Sequence, residues 1–132
     1  MASHFELPLR TLALLTLLLH YLISGALKLV DFAGAQAEIR ALTGVASPAG
    51  LAAAVVATQL GGSAVLLFGG AWAWLGGLAL AGFTLVATFL AHGWWRLPAG
   101  PERVQAFNGF WEHLALVGAL VYASASTPGS LR

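Results

Sequence analysis

Four apolar runs set the terms on which this chain can fold. They fall at roughly residues 10–30, 50–69, 74–92 and 107–124, and each is long enough for a helix to cross a hydrocarbon core of ~30 Å. Composition removes the soluble alternative. Only 8% of the chain is charged and 59% is hydrophobic, with mean hydropathy +0.84, whereas a soluble domain carries about 25% charged residues. The reading is an all-α integral membrane protein: a four-transmembrane-helix antiparallel bundle, residues 1–132 forming a single domain. A net charge of +1 and the lack of a basic run give no reason to expect nucleic acid as a partner. The chain has no cysteine, which excludes disulfides, thiol redox chemistry, thiolate metal sites and iron–sulfur ligation.

The first run follows Arg10 and resembles the start of a signal peptide, yet it continues past His20 to Val30 without a small-residue cleavage site. A retained first span is the expectation. Residues 31–48 are mixed in character, and Ile39, Leu42 and Val45 recur at helical spacing. This segment is expected to be a short interfacial helix, a half-inserted loop or an ordered surface connector. The Gly69–Trp74 stretch reads as a tight turn at a membrane border, and Trp94, Trp95 and Arg96 mark another. Residues 97–103, with Pro98, Gly100 and Pro101, read as a loop. Thr127-Pro128-Gly129 opens a short disordered tail. Glycine pairs in the second and third spans predict that these two helices pack closely.

Polar residues collect toward the longer connections. His20, Ser24 and Lys28 share one face of the first span, and Thr84, Thr88 and His92 share a face of the third. Asn108, Glu112, Ala115, Ala119 and Tyr122 share a face of the fourth. Pointing these stripes inward makes a polar-lined cavity, with Gln59 and His20 about 13–15 Å below its rim at 1.5 Å per residue. A charge inside the membrane costs about 2.5–3.5 kcal/mol unless paired, so Lys28 is expected to pair with Glu112. His113 is turned about 100° from Glu112, so only one of the two can face the centre.

At the level of motif the chain resembles the DoxX family of small four-span bacterial membrane proteins. The resemblance rests on Ser24-Gly25-Ala26-Leu27-Lys28-Leu29, on the segment from Gln59 to Gly69, and on Leu80 to His92. Family members often carry glutamate where this chain has Gln59. The resemblance implies the four-span fold and a multi-pass location in the bacterial inner membrane. Some members are described as subunits of a thiosulfate:quinone oxidoreductase or as partners in membrane oxidoreductase complexes, so it also implies a redox-associated subunit.

Two functional readings follow. In the first, the cavity binds a quinone or similar amphiphile, and the candidate binding residues are His20, Lys28, Gln59, His92, Trp111, Glu112 and His113. In the second, the protein is a structural or assembly subunit whose polar cluster staples the bundle. Haem ranks behind both, because His20 and His92 differ in depth by roughly 10–15 Å on residue count. A small solute carrier would require oligomerisation. No nucleophile with a base, phosphate loop or metal motif is present, so an accessory subunit is favoured over a self-contained enzyme. The expected partners are the lipid bilayer and either other membrane subunits or further copies of the chain.

Overall fold

A computed structural model describes residues 6–126. The described residues form five α-helices and no strand: α1 (Glu6–Val30), α2 (Phe32–Thr43), α3 (Ala49–Phe68), α4 (Ala73–Ala91) and α5 (Pro101–Ala125). The tail beginning at Thr127 lies outside the described residues. Three helical stretches, Glu6–Val30, Ala49–Phe68 and Gly70–Arg96, are long and apolar enough to cross a membrane. The fourth long helix, α5, matches α1 in length, but Gln105, Asn108, Glu112 and His113 dilute its apolar character.

Local chemistry explains the boundaries. The residues 31–48 segment is mainly a helix, started when Asp31 caps α2 by accepting the Gly34 N–H at 2.9 Å. It stops at Gly44, whose φ of 74° places it in the left-handed cap that favours glycine. Gly70, at φ 55°, serves the same need in the short 3-10 turn between α3 and α4. The loop expected over residues 97–103 is shorter than read, because α5 begins at Pro101 rather than near residue 107. Proline in the first turn lacks only an N–H that would have no helical partner anyway, so it starts a helix as readily as it ends one.

The helices pack in the order α1, α3, α4, α5, and α1 meets α5 only sparsely. Contact between α3 and α4 is close because the residues at the crossing are small. A Cβ on Gly62 would lie 3.0 Å from Leu80 Cγ, and one on Gly76 would collide with the Gly62 carbonyl. Leu18, Tyr21, Leu66, Leu80 and Leu120 form the apolar core, set toward the short α3–α4 turn. Leu12, Leu15, Leu19, Ile23 and Leu27 stay exposed along the outside of α1, a surface suited to lipid. The other half of the bundle is closed by α2, which rests on α1, α3 and α4 and leaves a space beneath it.

Candidate functional site

That space is a cavity of about 340 Å³ bounded by all five helices. Its polar side starts from α1. The Lys28 ammonium donates to Ser24 Oγ at 3.0 Å, one turn deeper along the same helix. The lysine therefore turns back along α1 and lines the cavity. Gln59 of α3 reaches the same hydroxyl, donating from Nε2 at 3.1 Å. This residue is only 3% exposed, and its Oε1 is buried without a hydrogen-bond partner.

A second polar tie runs from α1 to α4, where Tyr21 Oη and Thr84 Oγ1 are 2.6 Å apart. Thr84 sends its own hydroxyl hydrogen to the Leu80 carbonyl at 2.7 Å, so the tyrosine is the donor and the threonine the acceptor. Thr88 and Ser63 likewise turn their hydroxyls onto carbonyls of their own helices. Hydroxyls so occupied have their donors satisfied inside an apolar bundle.

Three imidazoles close the α5 side. The rings of His92 and His113 are stacked with centroids 4.5 Å apart and planes 33° from parallel. His20 approaches His113 edge-on at 5.8 Å. His113 Nδ1 lies 2.7 Å from the Gly109 carbonyl. A carbonyl only accepts, so Nδ1 is the donor in this contact. The same glycine makes room for His92, since a Cβ at Gly109 would fall 2.6 Å from the His92 ring. His92 and His113 also line a wider groove of about 790 Å³ on the outer side of α5, together with Asn108 and Glu112. The two rings form the partition between the cavity and that groove.

Of the sequence candidates, His20, Lys28, Gln59, His92 and His113 all line the cavity. The depth gap expected between His20 and His92 is bridged, because both rings touch His113. Trp111 lines neither space; it is 49% exposed and packs edge-on against Phe107 and Phe110. The expected Lys28–Glu112 pair does not form. Glu112 faces outward with Asn108, Ala115, Ala119 and Tyr122, all exposed, so the whole stripe expected inside lies outside. Lys28 instead stands 3.6 Å from Glu38 Oε2 of α2. The physical reason is the fold-back of α2, which brings a carboxylate over the end of α1. The phase of α5 is set by its packing on α4.

Sequence reasoning placed Thr84 on an inward face but missed its partner Tyr21, and it missed Glu38 as the partner of Lys28. Tyr21 shares a face with Ser24 and Lys28 at helical spacing, which is the signal that was available. Nothing in the sequence points to Glu38, because its position depends on the angle at which α2 leaves α1. Among the described residues no group of three or more His, Asp or Glu side chains is arranged to hold a metal ion.

A family model described as DoxX matches residues 7–93. The chain belongs to the DoxX family. No curated protein and no solved structure matches it. The family match spans α1 to α4 and ends just past His92. The DoxX portion thus supplies the cavity's Lys28, Ser24, Gln59 and His92, while His113 enters from a helix beyond the match. DoxX membership and the apolar helices together make this a membrane protein in contact with the lipid bilayer.

Proposed function

We propose that this DoxX protein is a four-span accessory subunit of a redox or respiratory-type complex in the bacterial inner membrane. Its cavity under α2 receives the ring of a quinone or similar amphiphile. The observation that carries the reading is the cavity itself. Its volume is at the small end of the range typical of ligand sites, about 300–1,000 Å³, and such sites pair apolar walls with a few convergent polar groups. Ile39, Val55 and Phe83 supply apolar wall, while Lys28, Gln59 and the three histidines converge from the other side. Leu51, Val86 and Leu90 line the cavity and are also exposed on the outer surface, so an apolar tail has a lateral way into lipid. The Lys28 ammonium and the imidazoles provide donors for ring oxygens. The antiparallel run of α5 along α4, from Gly109 beside His92 to Ser124 beside Gly77, supports α5 as the fourth span.

The test is titration of the purified protein in mild detergent with a short-chain quinone, read by tryptophan fluorescence, alongside solvent extraction of the co-purified lipid. Saturable quenching that weakens about tenfold in Lys28→Met is the expected result. Wild-type protein that shows only non-saturable partitioning refutes the reading.

A second reading, assembly without ligand chemistry, draws on one separate observation. The exposed stripe of Asn108, Glu112, Ala115, Ala119 and Tyr122 is small and polar, a surface better suited to another helix than to lipid. A cysteine introduced at Ala115 is the sole thiol in the chain, and its crosslinking to another membrane protein in cells is the corresponding test.

A further inference from the structure

Six aromatic rings gather where α4 passes to α5, and none of them lines the cavity. Phe110 sits at their centre, nearly buried, and meets Phe89, Trp95 and Trp111 edge-on, with centroids 5.4, 5.7 and 5.1 Å away. Trp94 and Phe107 close the circuit. Trp94 lies 5.9 Å from Trp95 and 5.2 Å from Phe107, which in turn lies 6.1 Å from Trp111. Edge-to-face contact is a geometry that ring quadrupoles favour, so the rings support one another as a platform. Its outer members, Phe89, Trp95, Phe107 and Trp111, are exposed. Two guanidiniums rest on it, Arg96 at 5.6 Å from the Trp95 ring centre and Arg103 at 5.5 Å from that of Trp94. One Nη of Arg96 also donates to the Phe89 and Leu90 carbonyls, at 2.7 and 3.2 Å. That anchors the side chain and keeps the N–H groups of Nε and the other Nη for a further acceptor. Among the described residues the ion pair formed is Lys28–Glu38, and neither of these guanidiniums meets a carboxylate. Glu102, the acid next to Arg103 in sequence, leaves α5 about 100° away from it.

We propose that this platform seats an anionic phospholipid, whose phosphate accepts N–H bonds from Arg96 and Arg103 while an acyl chain lies across the exposed rings. The order of residues along α5 suits such a ligand. Arg103 precedes Phe110 and Trp111 by two turns, about 10 Å, so a headgroup held at the guanidinium leaves its chain beside the deeper rings. Tryptophan belongs at the level of lipid headgroups, and the guanidinium fork matches the oxygens of a phosphate. Two cations without a paired acid favour a headgroup of net negative charge over a zwitterionic one. A partner helix fits this surface less well. Membrane helices approach one another through small residues, and on α5 these belong to the separate stripe through Ala115 and Ala119. The large rings of Trp95 and Trp111 hold a neighbouring helix away. The platform shares no residue with the cavity lining, so it stands or falls independently of an amphiphile bound there.

The experiment reconstitutes the full chain in phosphatidylcholine vesicles and follows tryptophan quenching by added lipids with brominated acyl chains. Brominated phosphatidylglycerol is compared with brominated phosphatidylcholine. Wild-type protein should show an apparent affinity about tenfold higher for the anionic lipid. The double variant Arg96→Gln/Arg103→Gln should bring the two lipids within about twofold. Because Arg96 also holds the end of α4, Arg103→Gln alone serves as the second variant and should lower the preference by about threefold. Arg40→Gln removes a positive charge from α2, outside the platform, and should leave the preference unchanged. Equal quenching of the wild type by the two lipids overturns the proposal and leaves the platform to a protein partner. A preference that survives the double variant overturns it as well. So does an equal loss in Arg40→Gln, which assigns the attraction to diffuse surface charge. Loss of the preference in excess inorganic phosphate at constant ionic strength assigns the guanidiniums to a free anion and likewise overturns the lipid site.

Discussion

Replacing Thr84 by valine should cost more than replacing Tyr21 by phenylalanine, although both changes delete the same 2.6 Å hydrogen bond. Thr84 spends its hydrogen on the Leu80 carbonyl, so Tyr21→Phe removes a donor and leaves the threonine with that bond intact. The loss is one interhelical hydrogen bond, worth about 0.5–1 kcal/mol in a membrane bundle. Thr84→Val instead strands a tyrosine hydroxyl on a side chain only 1% exposed. A buried donor left without an acceptor costs about 1–3 kcal/mol. The double variant removes donor and acceptor together, so its cost should fall near that of Tyr21→Phe alone. Unfolding followed by tryptophan fluorescence in a single detergent, on all four proteins, gives the comparison directly. Additive losses, or a Tyr21→Phe loss as large as that of Thr84→Val, would show that the direction of this bond has been read wrongly.

Gly76→Ala should destabilise by about 1–3 kcal/mol through overpacking, since its Cβ meets the Gly62 carbonyl. Gly61→Ala, where a Cβ meets nothing within 4 Å, should be neutral or stabilising; equal melting temperatures for the two would refute the close α3–α4 crossing. A double-mutant cycle on Lys28 and Glu38 should give a coupling of under about 1 kcal/mol, because Glu38 is 54% exposed and solvent screens the pair. The matching cycle on Lys28 and Glu112 should give none within error, and a clear coupling there would return Glu112 to the bundle interior. Lys28, Arg40, Arg96 and Arg103 flank the longer connections, which favours placing those connections in the cytoplasm. A cysteine at Ala99 should then escape an impermeant thiol reagent in intact cells, and labelling would reverse the orientation.

The ends of α3 and α4 were legible to within a residue or two, because glycine and tryptophan punctuate both. Close packing of these helices was equally legible, since small residues at the Gly62 and Gly76 positions have no better use in a membrane bundle. The start of α5 was not, because Pro101 obeys two rules at once: it breaks a preceding helix and opens the next. For α2 the sequence offered Ile39, Leu42 and Val45 as a face, yet the buried positions are Ala35 and Ile39. Leu42 instead looks into the cavity and Val45 lies beyond the cap. A short segment between two spans can bury either small or large residues, and only the surface it lands on decides which.

The inversion of α5 follows from assuming that polar residues of a membrane helix turn inward. Two stripes run along this helix at helical spacing. One passes through Asn108, Glu112, Ala115, Ala119 and Tyr122, the other through Ala106, Phe110, His113, Val117, Leu120 and Ser124. Polarity alone favours the first, but the buried residues Ala106, Phe110, Leu120 and Ser124 belong to the second. The deciding signal was Gly109, four residues before His113 and on its face, where the absence of a Cβ admits the His92 ring. A glycine in the middle of a helix costs about 1 kcal/mol relative to alanine, so it marks the face where something must approach closely. Reading the helix by its smallest residue rather than its most polar one places His113 against His92 and leaves Glu112 outside. The consequence reaches beyond this chain's own bundle. With α5 as the proposed fourth span, the Glu112 carboxylate on its outer face would need either the headgroup region or a neighbouring protein, and the small residues beside it make the second of these sterically available.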